Sequence, residues 1–194
     1  MVPEDRAMTR EEAVALWRRW NDDESLFRHA LSVEAAMRHF ARRFGEDEEY
    51  WGMVGLLHDI DYQKFPEEHL RHAREILASA GFDDAFIRSV ESHGWGICTD
   101  VEPTHVMEKV LFATDELTGF IAACAYVRPS RSVLDMEVKS VKKKWGSAAF
   151  AAGVRREVIE RGAEMLGMPL EELIGETIFA LRTVAADVGL KGNL

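Results

Sequence analysis

Apolar residues recur along most of this chain at the spacing of an α-helix. The clearest run covers residues 24–44, where apolar side chains return every three or four positions before Gly45: Leu26, Ala30, Val33, Met37, Phe40 and Phe44. A period of 3.6 residues places such side chains on one helix face, and a glycine commonly ends a helix. No alternating apolar and polar stretch is long enough to predict a strand. The pattern therefore predicts an all-α fold.

Eight further helices complete this prediction. A capping box at Thr9 and Glu12 starts the first of them. The others cover about residues 47–60, 66–81, 83–93, 104–127 and 133–138, and two more begin near Val154 and at Pro169. The segment 104–127 is apolar almost all round, which predicts that it forms the buried centre of a helical bundle.

The composition narrows the classes of function. Of 194 residues, 47% are hydrophobic and 30% are charged, and the net charge is −10. An acidic chain is not expected to bind a nucleic-acid polymer, because such proteins normally carry a basic excess. The chain shows neither an apolar run of membrane-spanning length nor a signal peptide, and Cys98 and Cys124 cannot form a disulfide framework. We therefore expect a cytoplasmic protein that does not enter a membrane.

Four histidines are predicted to point inward from four different helices. By helical periodicity, each shares a face with core-facing residues: His29, His58, His69 and His93. Asp115 adds a carboxylate to the central helix, where an unpaired charge is costly. Each residue alone is more often part of a core than a ligand, and a protein without metal remains one interpretation. Together they favour a site for a divalent transition metal such as Mn, Fe, Co, Ni or Zn, because imidazole and carboxylate suit these ions.

The order of these residues resembles the HD-domain superfamily, and in particular its stand-alone bacterial members. Residues 28–33 (RHALSV) resemble the helix of the first histidine, His58-Asp59 is the adjacent pair, and residues 113–117 (ATDEL) resemble the closing motif. The resemblance covers about residues 20–127. It implies an HD-type helical bundle with extra C-terminal helices: a single domain over residues 1–194, with a metal-binding core at about 20–127 and an extension at about 128–194.

The resemblance also implies the ligands and the activity. The implied metal ligands, for one or two ions, are His29, His58, Asp59, His69, His93 and Asp115. Asp59 would bridge or anchor the metal and is the predicted catalytic residue. The implied enzyme is a metal-dependent phosphohydrolase that attacks a nucleotide or another small phosphate ester with a metal-activated water. An HD-fold diiron oxygenase and a non-catalytic module that binds a metal or ligand stay open, as do the substrate and the oligomeric state.

Positive charge for a substrate phosphate is predicted at two places. Many relatives read His-Asp-Ile-Gly-Lys, whereas here Asp61 and Tyr62 take the Gly and Lys positions, so Lys64 is the predicted replacement for the lysine. Between Arg128 and Lys144, six basic residues and two acids give a net charge of +4. Such a run is usually a solvated face, and a phosphate-steering patch is the functional interpretation. Arg128 is the predicted direct contact, because it follows the central helix.

Overall fold

A computed structural model describes residues 7–194. These residues form nine α-helices and no β-strand, which confirms the predicted all-α fold. The helices are α1 (Arg10–Trp20), α2 (Glu24–Phe44), α3 (Glu48–Leu57), α4 (Ala73–Ser79), α5 (Asp84–Glu91), α6 (Val106–Tyr126), α7 (Val138–Trp145), α8 (Arg156–Leu166) and α9 (Leu170–Thr183).

Local sequence signals set several helix ends. Thr9 and Glu12 form the predicted capping box of α1. The side chain of Asp23 caps α2 by accepting a hydrogen bond of 3.0 Å from the backbone N–H of Leu26. Gly45, with φ of 71°, ends α2 in the left-handed conformation that glycine adopts at little cost. Apart from α4 and α7, the observed boundaries lie within a few residues of the predicted ones.

The predicted fourth helix is wrong in its first half. Pro66–Glu68 form one 3-10 turn, Leu70 has φ of 68°, and α4 begins only at Ala73. A left-handed residue interrupts helical hydrogen bonding, and a residue with a side chain adopts it at a cost. The carboxylate of Asp61 accepts hydrogen bonds from the backbone N–H groups of His72 (3.2 Å) and Ala73 (3.1 Å). It therefore supplies partners to the first turn of α4, which would otherwise lack them.

The predicted helix over residues 133–138 is displaced, because α7 begins at Val138 and contains the lysine run. The backbone before α7 has partners near the C-terminus. The N–H of Val133 donates to the carbonyl of Leu190 at 2.9 Å. Arg182 donates to the carbonyls of Val133 (3.3 Å) and Met136 (2.5 Å). These groups are therefore not available for a helix.

α6 is the centre of the helical packing, as its apolar pattern predicts. Its buried residues lie on all sides, and it contacts α2, α5, α7, α8 and α9. In the described part of the chain, neither α6 nor another helix combines the length and apolar character needed to cross a membrane. The last three helices pack on α6 and α2. The division into a ligand-bearing core and a C-terminal extension stays a prediction.

α2 and α3 lie unusually close together at Gly55. A Cβ atom there would lie 2.9 Å from the carbonyl oxygen of Val33 and 2.8 Å from Cγ of Met37. Only glycine allows this approach without displacing the α2 backbone. The close contact brings the end of α3, which carries His58, beside the first half of α2, which carries His29.

We expect Gly162→Ala to destabilise the protein. A Cβ atom at Gly162 in α8 would lie 2.5 Å from Cβ of Ala113 and 2.6 Å from its Cα, so the added methyl group must push α8 away from α6. Overpacking of this kind costs about 1–3 kcal/mol, which chemical denaturation measures. Gly119→Ala in α6 is the matched control, because nothing outside its own helix lies within 4 Å and alanine favours helix. Equal stability of the two variants would contradict the close packing.

Candidate metal centre

His58 and Asp59 lie where α3 ends. His58 is fully buried, and its Nδ1 lies 2.7 Å from the carbonyl oxygen of Gly55. This carbonyl belongs to the last turn of α3, where carbonyls lack a partner within the helix. Because a carbonyl only accepts, Nδ1 carries the proton and Nε2 keeps its lone pair. The end of the helix thus sets both the orientation and the tautomer of the imidazole.

Nε2 of His58 and three further ligand atoms lie close together, and they come from three parts of the chain. His58 Nε2 lies 3.2 Å from Nε2 of His29 and 3.2 Å from Oδ2 of Asp59. It also lies 3.3 Å from Oδ1 of Asp115. His29 Nε2 is 2.9 Å from that Asp115 oxygen and 3.6 Å from Asp59 Oδ2. We call these four residues the first ligand group.

A second ligand group consists of Asp59, His69 and His93. Oδ1 of Asp59 lies 3.3 Å from Nε2 of His69 and 3.4 Å from Nε2 of His93. The two nitrogens are 3.1 Å apart. Nδ1 of His93 donates to the carbonyl of Val90 at 2.6 Å, and Nδ1 of His69 donates to the carboxylate of Asp61 at 3.0 Å. In the neutral imidazoles, both Nε2 atoms therefore present a lone pair to the group.

The spacing of both groups fits a divalent metal ion. Two atoms that bind one ion at about 2.1 Å, with an angle of about 90–110° between them, lie about 3.0–3.4 Å apart. The separations within the groups range from 2.9 Å to 3.6 Å. Asp59 presents Oδ2 to the first group and Oδ1 to the second, so its carboxylate belongs to both groups. Imidazole and carboxylate together suit borderline divalent ions.

The electrostatics of the centre favour positive charge. Burial lowers the pKa of His58, but the carboxylates of Asp59 and Asp115 raise it well above its usual value. Burial also lowers the pKa of His69, but its hydrogen bonds to Asp59 and Asp61 outweigh this effect and raise the pKa to about 9. Burial raises the pKa of Asp59, and the neighbouring histidines outweigh this effect and hold it well below its usual range. A cation at this point is therefore stabilised.

One side of the centre is open to solvent. The side chains of His29, Asp115 and Asp59 are 25%, 20% and 18% exposed, whereas those of His58 and His93 are 0% and 4% exposed. The deep ligands thus lie behind an accessible face. The accessible side chains are those of His29, Asp115 and Asp59 together with His69, which is 17% exposed.

Gly94 allows the second ligand group to form. A Cβ atom at Gly94 would lie 2.5 Å from Cδ1 of Leu70 and 2.6 Å from Sγ of Cys98. Leu70 follows His69 directly, and Gly94 follows His93. The absent side chain at Gly94 therefore lets the two turns that carry these histidines come into contact.

All six residues predicted as metal ligands belong to the two ligand groups: His29, His58, Asp59, His69, His93 and Asp115. Their position relative to the helices differs from the prediction. His58 and His69 directly follow α3 and the 3-10 turn Pro66–Glu68, and His93 lies in a 3-10 turn, Ser92–Gly94, directly after α5. His69 in particular does not occupy the helix face on which it was predicted. The centre is able to hold a metal, and the binding role of each residue stays a prediction.

Lys64, a predicted substrate contact, bonds elsewhere in the protein. Its Nζ lies 4.6 Å from the centre of the Trp20 ring and 3.4 Å from the carbonyl oxygen of Arg19. The residue lines a surface cavity of about 430 Å³ together with Trp20, Phe65 and His72. A role in substrate binding stays a prediction and requires the side chain to leave Trp20.

Arg128, the other predicted substrate contact, is held by its own loop. It donates to Oγ of Ser140 at 2.9 Å and to the carbonyl of Asp135 at 3.0 Å, and it pairs with the Asp135 carboxylate at 3.1 Å. Among the basic residues that follow, Lys139 pairs with Glu137 and Lys142 with Glu171. These ion pairs are typical of a solvated charged face. A role of the basic residues in steering a phosphate stays a prediction.

Sequence reasoning missed Arg155, which precedes α8. Its backbone N–H donates to the carboxylate of Glu116 at 3.2 Å, and Glu116 follows the ligand Asp115 in α6. Burial and the charge of Asp115 raise the pKa of Glu116, and the N–H and charge of Arg155 oppose this increase. Within residues 7–194 the guanidinium of Arg155 has no hydrogen-bond or ion-pair partner. No spacing rule links positions 116 and 155, and only the packing of α8 on α6 brings them together.

These features define a class of protein: an all-α bundle with six convergent histidine and aspartate side chains that can hold a divalent metal. A family model described as the HD domain matches residues 26–118, a stretch that contains all six side chains. Residues 26–118 therefore form an HD domain, and this part of the chain belongs to the HD-domain superfamily. A comparison with curated proteins found no match, and a comparison with solved structures found none.

We expect the purified protein to bind two divalent ions per chain. His29→Ala should remove the ion of the first group, His93→Ala that of the second, and Asp59→Ala both, because Asp59 contributes an oxygen to each group. Metal analysis after equilibration with Mn²⁺ or Co²⁺ measures the stoichiometry. His72→Ala is the control, because its imidazole pairs with Glu68 outside both groups. Equal metal content in Asp59→Ala and the unaltered protein would contradict the assignment.

Proposed function

We propose that this protein is a metal-dependent phosphohydrolase that acts on a nucleotide or another small phosphate ester. The observation that carries the proposal is the shared carboxylate of Asp59, whose two oxygens face two ligand groups. A pair of cations joined by one carboxylate is a common arrangement in enzymes that displace a phosphoryl group. Membership of the HD-domain superfamily supports the same reaction class, because the superfamily includes many metal-dependent phosphohydrolases.

Bound cations would lower the pKa of a water molecule and neutralise the phosphoryl oxygens. The side chains of this protein would hold and orient these cations. The carbonyls of Gly55 and Val90 keep the Nε2 lone pairs of His58 and His93 directed at the centre. Such partners of ligand histidines set the orientation and basicity of the imidazole. Asp59 joins the two groups, and the partly exposed side of the centre admits the substrate.

Arg155 is the residue that we assign to the substrate phosphate. Its guanidinium lacks a protein partner in the described residues, and its backbone bonds Glu116 beside the ligand Asp115. A guanidinium suits phosphate because its parallel N–H groups match two phosphoryl oxygens. The net charge of −10 opposes binding of a polymeric nucleic acid, while one local cation beside Glu116 suffices for a small anion.

We expect phosphate release from a panel of nucleotides and simple phosphate esters in the presence of Mn²⁺, Co²⁺ or Ni²⁺. Asp59→Asn should lower kcat/KM by more than about 100-fold, because replacing even an outer partner of a ligand commonly costs about 10–100-fold. His72→Ala should retain the activity. A colorimetric phosphate assay measures both.

Two outcomes of this experiment would overturn the proposal. Bound iron with a mixed-valent EPR signal and oxygen uptake would indicate the diiron oxygenase, which uses the same six-ligand pattern. Absence of turnover on the whole panel, with Asp59→Asn only lowering the melting temperature, would indicate the non-catalytic module.

We expect Arg155→Gln to raise KM by about 10-fold or more with a smaller change in kcat. A hydrogen bond to a charged group contributes about 1.5–3 kcal/mol, and the lost contact is one of substrate binding. Steady-state kinetics on the best substrate of the panel measures the change, with Arg155→Lys as the partial replacement and the exposed Lys191→Gln as the control for loss of a surface charge. A larger rise in KM for Lys64→Gln or Arg128→Gln would instead support the contacts predicted from sequence.

A further inference from the structure

Asp61 is a buried carboxylate that directly serves the second ligand group. Its side chain is fully buried, two positions after Asp59. Oδ1 accepts a hydrogen bond of 3.0 Å from Nδ1 of His69. Oδ2 accepts from the backbone N–H groups of His72 at 3.2 Å and Ala73 at 3.1 Å. These three bonds offset the cost of burying the charge, which is large for an unpaired carboxylate.

His69 depends on this carboxylate in a way that the other turn histidines do not. His58 and His93 each donate Nδ1–H to a backbone carbonyl three residues earlier, at the end of the preceding helix. His69 follows a single 3-10 turn in an extended conformation, with ψ of 134°, and Leu70 after it has positive φ. Its Nδ1 partner is instead the side chain of Asp61, eight residues earlier.

A role as a helix cap alone does not account for Asp61. Three other aspartates cap helices of this protein from exposed positions: Asp23, Asp47 and Asp83. Each accepts hydrogen bonds from backbone N–H groups, and full burial is not needed for that task. Asp61 uses one oxygen for the cap and the other for His69, so it joins the start of α4 to a ligand imidazole.

We propose that Asp61 is a positioning residue that sets the orientation and tautomer of His69 and thereby the affinity of the second ligand group for its ion. Its carboxylate holds the proton on Nδ1, directs the Nε2 lone pair towards Asp59 and His93, and makes the imidazole a stronger donor. Carboxylate partners of ligand histidines act in this way, and their loss commonly lowers metal affinity by about 10–100-fold. The inference rests on the metal centre of the proposed function and does not depend on the reaction.

The test is a metal titration of Asp61→Asn, with Asp83→Asn as the matched cap control. Co²⁺ binding is followed by its visible absorption and by metal analysis, and the melting temperature of each metal-free variant is recorded. Asp61→Asn should retain the first ion and bind the second about 10–100-fold more weakly, because the amide keeps the size of the side chain and removes its charge. Asp83→Asn should bind both ions with unchanged affinity and melt close to the unaltered protein, because asparagine caps a helix about as well as aspartate.

A double-mutant cycle separates positioning from general damage. In a His69→Ala background, Asp61→Asn should cause no further loss of Co²⁺ affinity, because a residue that acts through His69 has nothing left to position. Unchanged second-ion affinity in Asp61→Asn, equal loss of both ions, or additive losses in the double variant would each overturn the inference. A protein that hydrolyses no phosphate ester and still shows the selective loss would overturn the proposed function alone.

A second measurement uses the unaltered protein and remains decisive if Asp61→Asn does not fold. In ¹⁵N-histidine-labelled protein loaded with ¹¹³Cd²⁺, the spin coupling to His69 should run through Nε2, and Nδ1 should carry the proton. Coupling through Nδ1, or absence of a cadmium ion at His69, would overturn the inference.

Discussion

The rest of the structure depends on the convergence of acceptor groups at Asp59. The imidazoles of His58, His69 and His93 each use Nδ1–H for a bond that points away from the centre, so their Nε2 lone pairs face one another and the carboxylate oxygens. Neutral imidazoles and carboxylates arranged in this way repel one another unless a proton or a metal cation lies between them. The fold accepts this local cost at its core, which is typical of a site built to bind a charged group.

Close helix contacts hold the ligands in this unfavourable arrangement, and they require the smallest side chain at three places. Gly55 brings α3 against α2, Gly94 brings the turn after α5 against Leu70, and Gly162 brings α8 against Ala113 of α6. The first contact serves the first ligand group, and the second serves the other. The third joins the last part of the chain to the helix that carries the Asp115 carboxylate. Precise packing rather than local conformational preference therefore defines the centre.

The sequence predicts those parts of the molecule that depend on short-range signals. Helical periodicity and caps give the all-α fold and the bounds of α2, and the resemblance gives the six residues that the structure brings together. Periodicity predicts the wrong structure at His69. The buried carboxylate of Asp61, eight residues earlier, binds the His69 imidazole and the backbone N–H at the start of α4. Periodicity also fails before α7, where Arg182 and Leu190 bind the backbone from distant positions. The contact between Arg155 and Glu116 could not be predicted from the sequence for the same reason, because it arises only from tertiary packing.

Asp61, which takes the glycine position of the usual motif, has a structural role beside His69. Where many relatives carry glycine, this chain carries a buried carboxylate that accepts a hydrogen bond from Nδ1 of His69. The following motif lysine is replaced by Tyr62, whose ring packs edge-on against that of His69 at 5.2 Å. Both changes thus act on one imidazole rather than on a phosphate. Arg155, which we assign to the substrate phosphate, lies outside the matched residues 26–118. The proposal thus gives the last part of the chain a part in substrate selection.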